Sequence, residues 1–186
     1  MIAMIQNQGQ ITNEEAFWQS FCEVFGDSVL EDKELISQAY ATEFQTLKDQ
    51  CGFDRRASEC VLTIKEMGYP LILATNPVFP PHMTDERIRW AGLDPQIFDY
   101  ITTFDNSSYC KPNPAYYIEL LAKLDLRAEE CLMVGNDVTE DMVAETLGMH
   151  TFLLTDCLIN RENKEINRWN NGSYPELLNY IRELTK

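Results

Sequence analysis

The stretch Cys131-Leu-Met-Val-Gly-Asn-Asp-Val-Thr-Glu-Asp141 constrains this chain more than any other. Residues 131–134 are an unbroken apolar run, the pattern of a strand buried on both faces as in parallel sheets. Gly135-Asn136 breaks the run, and from Thr139 the apolar spacing of Met142, Val143, Ala144 and Leu147 predicts a helix that Gly148 closes. Asp137 is thereby placed at the carboxyl end of a strand and Asp141 in the first turn of the next helix. In open α/β sheets that edge is where ligands bind. Two carboxylates held there suit a hard divalent cation such as Mg2+, which commonly takes one or two carboxylates together with phosphate and water. A purely architectural alternative stands beside this one, with Asp137 as a strand-end cap and Asp141 as a first-turn acid favoured by the helix dipole.

The 186 residues suffice for one domain of ordinary size with a small insert or appended subdomain. Hydrophobic residues make up 45 %, enough for a true core. A net charge of −15 argues against nucleic acid or an anionic membrane as partner, because both attract basic surfaces. No apolar run is as long as a membrane span, and Met1-Ile-Ala-Met-Ile5 lacks the length and basic flank of a signal peptide. Cys22, Cys51, Cys60, Cys110, Cys131 and Cys157 are scattered without close pairs, which fits reduced thiols in a cytoplasm rather than disulfides or a zinc site.

Along the chain, residues 1–11 carry no pattern and are expected to be an unstructured start. Thr12 and Glu15 form a capping box ahead of Phe17, Phe21, Val24 and Phe25 at helical spacing, and a second helix follows with Ile36, Tyr40, Phe44 and Leu47 on one face. These two helices, residues 12–55, are expected as a helical layer in which the aromatic stripe packs. From residue 56 helices and strands alternate: a helix over 56–67, a strand over 70–74, a short helix capped by Thr84, a strand over 100–104, a helix from Asn113-Pro114, the 131–134 strand with its helix, a strand over 151–154, a polar loop over 156–173 and a last helix from Pro175. Such alternation predicts a doubly wound parallel sheet over residues 56–186, with helices on both faces.

Thr75 follows one strand, Asp137 ends another, and Lys111 lies on a loop leading into a helix. A hydroxyl and backbone N–H groups can donate to phosphate oxygens, an ammonium can neutralise their charge, and carboxylates can hold a metal. Taken singly, a threonine after a strand is a turn residue and a lysine before Pro-Asn-Pro a solvated one. His82 and His150 stand in no metal-ligand spacing and read as surface or loop residues.

The strand Leu71-Ile-Leu-Ala-Thr75-Asn76, the loop Lys111-Pro-Asn-Pro114 and the segment Val134-Gly-Asn-Asp137-Val-Thr-Glu-Asp141, in that order, resemble the motifs of the haloacid dehalogenase-like (HAD) superfamily of hydrolases, most of them phosphatases. The resemblance implies an α/β, doubly wound HAD-like Rossmannoid core preceded by a helical cap remnant. It implies that Thr75 hydrogen-bonds the transferring phosphoryl group and that Lys111 steadies charge on nucleophile and phosphate. Asn76 would join them in holding phosphate. Asp137 would bind Mg2+, and Asp141 would support the metal site or the lysine. The implied activity is a magnesium-dependent phosphatase for a small phosphorylated metabolite, with a non-enzymatic binding or regulatory protein as the alternative and a metal-free dehalogenase as a third.

One family motif has no counterpart. The superfamily begins with an apolar strand ending in Asp-x-Asp, its first aspartate the nucleophile and its second the general acid/base, and no Asp-x-Asp occurs in this sequence. By the resemblance that strand is central, paired on both sides by the strands leading to Thr75 and Asp137. The expectation is therefore a shortened chain without the acid that becomes phosphorylated, and so without turnover of its own.

Overall fold

The computed structural model describes residues 1–184, which divide into two units, one of Met1–Cys110 and one from Lys111 onward. Among the described residues all strand pairing is parallel, and helices separate all but the last two strands, so the chain is a mixed α/β protein of the doubly wound type.

The first unit opens with the short helix α1 (Ile2–Ile5), where no order was expected. Met4 is buried, and the buried Asn7 amide explains why the start is fixed: it donates to the Ile11 carbonyl at 2.9 Å and to Asn13 Oδ1 at 3.0 Å. Helix α2 (Asn13–Phe25) begins with the expected capping box, Thr12 accepting from the Glu15 N–H while the Glu15 carboxylate accepts from the Thr12 N–H. Helix α3 (Lys33–Gln45) follows after a 3₁₀ turn. The aromatic stripe of α2 stacks on itself through Phe17, Phe21 and Phe25, but Val24 and Phe25 are exposed, so the stripe is only partly covered. On α3 only Phe44 is buried, against Phe79 and Trp90, while Tyr40 is exposed; Leu47, expected on this helix, lies past its end and is exposed too.

Helix α4 (Arg55–Glu66) is capped by Asp54, whose carboxylate accepts from the Arg56 N–H. Strand β1 is Ile72–Leu73, shorter than the 70–74 run predicted, and pairs with β2 (Tyr100–Ile101). Between them α5 (Pro81–Trp90) starts at Pro81 rather than at Thr84. Proline at the first helical position fixes φ in advance and has no N–H to lose, which leaves Thr84 buried inside the helix.

In the second unit α6 (Pro114–Leu124) starts where Asn113-Pro114 predicts, the Asn113 side chain accepting from the Ala115 N–H at 3.0 Å. Strand β3 (Leu132–Gly135) pairs with β4 (His150–Leu154), and β4 pairs with β5 (Asn170–Gly172). Strand β5 falls within the stretch expected to be loop. Its Asn-Asn-Gly sequence carries no apolar alternation, so nothing local announces it; pairing to β4 creates it. Helix α7 (Tyr174–Leu184) closes the unit, burying Tyr174, Leu177 and Ile181. Val138, Met142, Leu153 and Trp169 form a core cluster beneath the Asp137 turn. Among the described residues the strands make two sheets, β1-β2 and β3-β4-β5, with β1 and β3 each paired along one edge only.

Candidate phosphate and cation site at the end of strand β3

Strand β3 ends in a turn that the Asp141 side chain organises. Asp141 Oδ2 accepts from the backbone N–H groups of both Asn136 and Asp137, each at 3.0 Å. This carboxylate lies so close to Gly135 that a Cβ built there would stand 2.2 Å from Asp141 Oδ2. Glycine is required by space at this position. The Asp141 N–H donates back to the Asp137 carbonyl at 2.9 Å, so the turn is closed from both ends.

The second oxygen, Asp141 Oδ1, takes the Lys111 ammonium at 2.6 Å, and both side chains are more than nine-tenths buried. Burying two charges is repaid only where geometry is close and the remaining lone pairs are occupied, which is the case for Asp141. The ammonium also lies 5.7 Å from the ring centroids of Tyr116 and Tyr117, at the start of α6, where aromatic faces offset part of its lost hydration. Tyr117 in turn donates its hydroxyl to the Glu140 carbonyl at 2.9 Å, tying α6 to the same turn. Burial, then the charge of Asp141, holds the Tyr117 phenol well above its ordinary value, so it stays a donor.

Asp137 projects from this turn. Its Oδ1 accepts from the N–H groups of Thr139 and Glu140, at 2.9 and 3.0 Å, and its Oδ2 accepts from Arg161 Nη1 at 2.7 Å. Burial is the largest influence on its carboxyl and works to raise it. The two backbone N–H donors and the guanidinium outweigh burial and hold it below the usual carboxylate value. Glu140 behaves oppositely: burial first, then the charge of Asp137, raise its carboxyl.

The segment after Asp141 is a 3₁₀ helix (Met142–Leu147), not the α-helix that the apolar spacing predicts. With its side chain drawn back to the strand end, Asp141 starts a tighter coil in which the Ala144 N–H reaches the Asp141 carbonyl. Gly148 ends it in the left-handed region, as expected.

Lys111, Asp137 and Asp141 are thus brought together. Asp141 spends both oxygens on Lys111 and the backbone, and the geometry puts it in support of the lysine and the turn. Asp137 is the carboxylate left at the rim. No group of three or more His, Cys, Asp or Glu among the described residues is placed to hold a metal. The donor set still fits magnesium in its commonest protein form, one carboxylate completed by phosphate and water. Asp137 Oδ2 would hold it and the cation would neutralise phosphate charge there.

Thr75 and Asn76 belong to the first unit. Both are half-buried and follow β1. The Thr75 carbonyl accepts the Thr102 hydroxyl at 2.8 Å, and the Asn76 carbonyl accepts the Val78 N–H at 2.9 Å. Beneath this loop lies Asn13, fully buried, which donates to the Pro77 and Tyr109 carbonyls at 3.2 and 3.3 Å. Sequence reasoning gives no site role to Asn13, Tyr117 or Arg161, although it places Tyr117 on the buried face of its helix, where it is. The first two sit among ordinary helix-start and core residues, and Arg161 lies in a polar stretch without periodicity.

A haloacid dehalogenase-like hydrolase family profile matches residues 6–144. The chain is 29 % identical over 93 residues to pyrophosphatase PpaX of Halalkalibacterium halodurans, covering 50 % of this chain and 42 % of that protein. It is 26 % identical over 125 residues to glyceraldehyde 3-phosphate phosphatase of Methanothermobacter thermautotrophicus, covering 67 % of this chain and 53 % of that one. In fold it is similar to a HAD phosphatase from Thermococcus onnurineus, with a TM-score of 0.60 at 20 % identity, over 76 % of this chain and 64 % of that one. The chain therefore spans about half the length of the curated relatives it matches. With the profile running from before α2 through the Asp137 turn, the chain belongs to the haloacid dehalogenase-like hydrolases.

Proposed function

We propose that this chain carries the phosphate- and cation-handling part of a magnesium-dependent phosphoric monoester hydrolase that acts on a small phosphorylated metabolite in the cytoplasm. The observation that carries the reading is the buried Lys111–Asp141 pair, locked to the two backbone N–H groups that aim Asp137. A lysine buried to this degree is retained at a cost, and charge on a phosphoryl group is what such a lysine can meet. Lys111 steadies that charge, Asp137 holds Mg2+, and Asp141 holds the ammonium in place. Thr75 and Asn76 donate to phosphate oxygens, Thr75 through its hydroxyl. The names of the relatives, a pyrophosphatase and a sugar-phosphate phosphatase, support a small phosphorylated substrate.

These 186 residues contain no Asp-x-Asp. The groups present stabilise charge, and none of them is the carboxylate that attacks phosphorus. This favours, for the chain by itself, phosphate binding without turnover. The test is release of the phenol from an aryl phosphate with Mg2+ by the chain and by its Asp137→Asn variant. Equal, background rates are expected. Turnover that Asp137→Asn abolishes would show that a nucleophile is present after all.

A further inference from the structure

The loop after β4 is stitched across the Asp137 turn. The Val138 N–H donates to the Ile159 carbonyl at 3.0 Å and the Ile159 N–H to the Asn136 carbonyl at 2.8 Å, forming a parallel bridge between Asp137 and Ile159. The Asn136 amide donates to the Cys157 carbonyl at 2.7 Å, and the Thr139 hydroxyl to Glu162 at 3.2 Å. Arg161 is therefore carried to Asp137 by a fixed backbone and not by a chance surface encounter. Its side chain is 68 % exposed while that of Asp137 is 9 % exposed, so the guanidinium covers the carboxylate from the solvent side.

An ionised carboxylate offers about four lone-pair positions. On Asp137 two N–H groups occupy Oδ1, and Arg161 takes one position on Oδ2. The open position is on Oδ2, so a divalent cation approaching Asp137 meets a positive charge already there. Two cations on one oxygen repel, and an octahedral ion with its waters leaves no room for a guanidinium at hydrogen-bond distance.

We propose that Arg161 is a tethered competitor for the cation position: it neutralises Asp137 when no metal is bound and must swing away for a divalent ion to enter. The inference rests on the reading of Asp137 as the metal carboxylate. Because the loop stays anchored at Ile159 and Asn136, the displaced arginine remains beside the site and sets how tightly this chain holds its metal.

Calorimetric titration of Mg2+ into the full chain, at one fixed concentration of inorganic phosphate, tests this. Arg161→Gln should tighten binding about two- to five-fold, the range of a largely exposed ion pair, and Arg161→Lys should return it toward the parent value. Lys164→Ala removes the same unit of charge three residues along and should leave affinity unchanged. If Arg161→Gln binds no more tightly than the parent, or if Lys164→Ala tightens binding equally, while Asp137→Asn abolishes it, the competition is refuted and the metal reading stands. If Asp137→Asn binds as the parent does, or neither the parent nor Arg161→Gln binds Mg2+, the metal reading fails and the competition with it.

Discussion

At the scale of single residues the site depends on one carboxylate reaching over one glycine. Asp141 Oδ2 stands where a Gly135 side chain would be, and that approach lets it collect the Asn136 and Asp137 N–H groups. Gly135→Ala should force Asp141 away, orphan those two donors and loosen Lys111. Overpacking together with buried unpaired groups predicts a loss of about 2–4 kcal/mol, measurable as a lowered urea midpoint at unchanged slope. Asp137 makes a prediction in pH. Its folded carboxyl titrates below the ordinary value of 3.8. A lowered folded value stabilises the fold at every pH above the unfolded value, and that contribution disappears as pH falls below 3.8 through the folded value. Asp137→Asn should therefore flatten the acid limb of the stability curve below pH 3.8, read by circular dichroism. The sequence reading of Gly135 as a strand-breaker does not hold, since Gly135 is the last paired residue of β3; the reason alanine cannot replace it was not legible either, because it depends on where a side chain six residues away turns back.

Elements were legible where their signals are local. The Thr12/Glu15 capping box and the Asn113-Pro114 start lie where the sequence puts them, since a cap needs only its own first turn. Strand β5 and the Asp137–Ile159 bridge escaped, because each is made by a distant partner and neither has apolar alternation. The 3₁₀ segment after Asp141 escaped for a related reason: a side chain engaged by the preceding strand overrode a good helical spacing. The start of α2 hides a further dependence. Buried Asn13 holds the Pro77 and Tyr109 carbonyls and accepts from Asn7, joining the helix start to the loop after Thr75. Asn13→Ala leaves those partners buried and unmet, and should cost about 1–3 kcal/mol, as seen in chemical denaturation. Amide exchange at residues 75–79 should quicken in the same variant.

At the scale of the whole molecule, the alternation of helices and strands was readable from the apolar patterning and family membership from three short motifs, two of them, at Thr75 and Asp137, following strands that the alternation predicts. Arg161 was not readable, because its meaning comes entirely from a loop that only the fold lays over Asp137. The central claim is that Lys111, Asp141 and Asp137 form a centre that holds phosphate together with a divalent cation. The measurement that reaches it most directly is calorimetric titration of inorganic phosphate into the 186-residue chain and its Asp137→Asn variant, each with and without Mg2+. The account predicts that Mg2+ strengthens phosphate binding to the parent chain and does nothing for the variant. Phosphate binding indifferent to both Mg2+ and Asp137, or no binding under any condition, would contradict it.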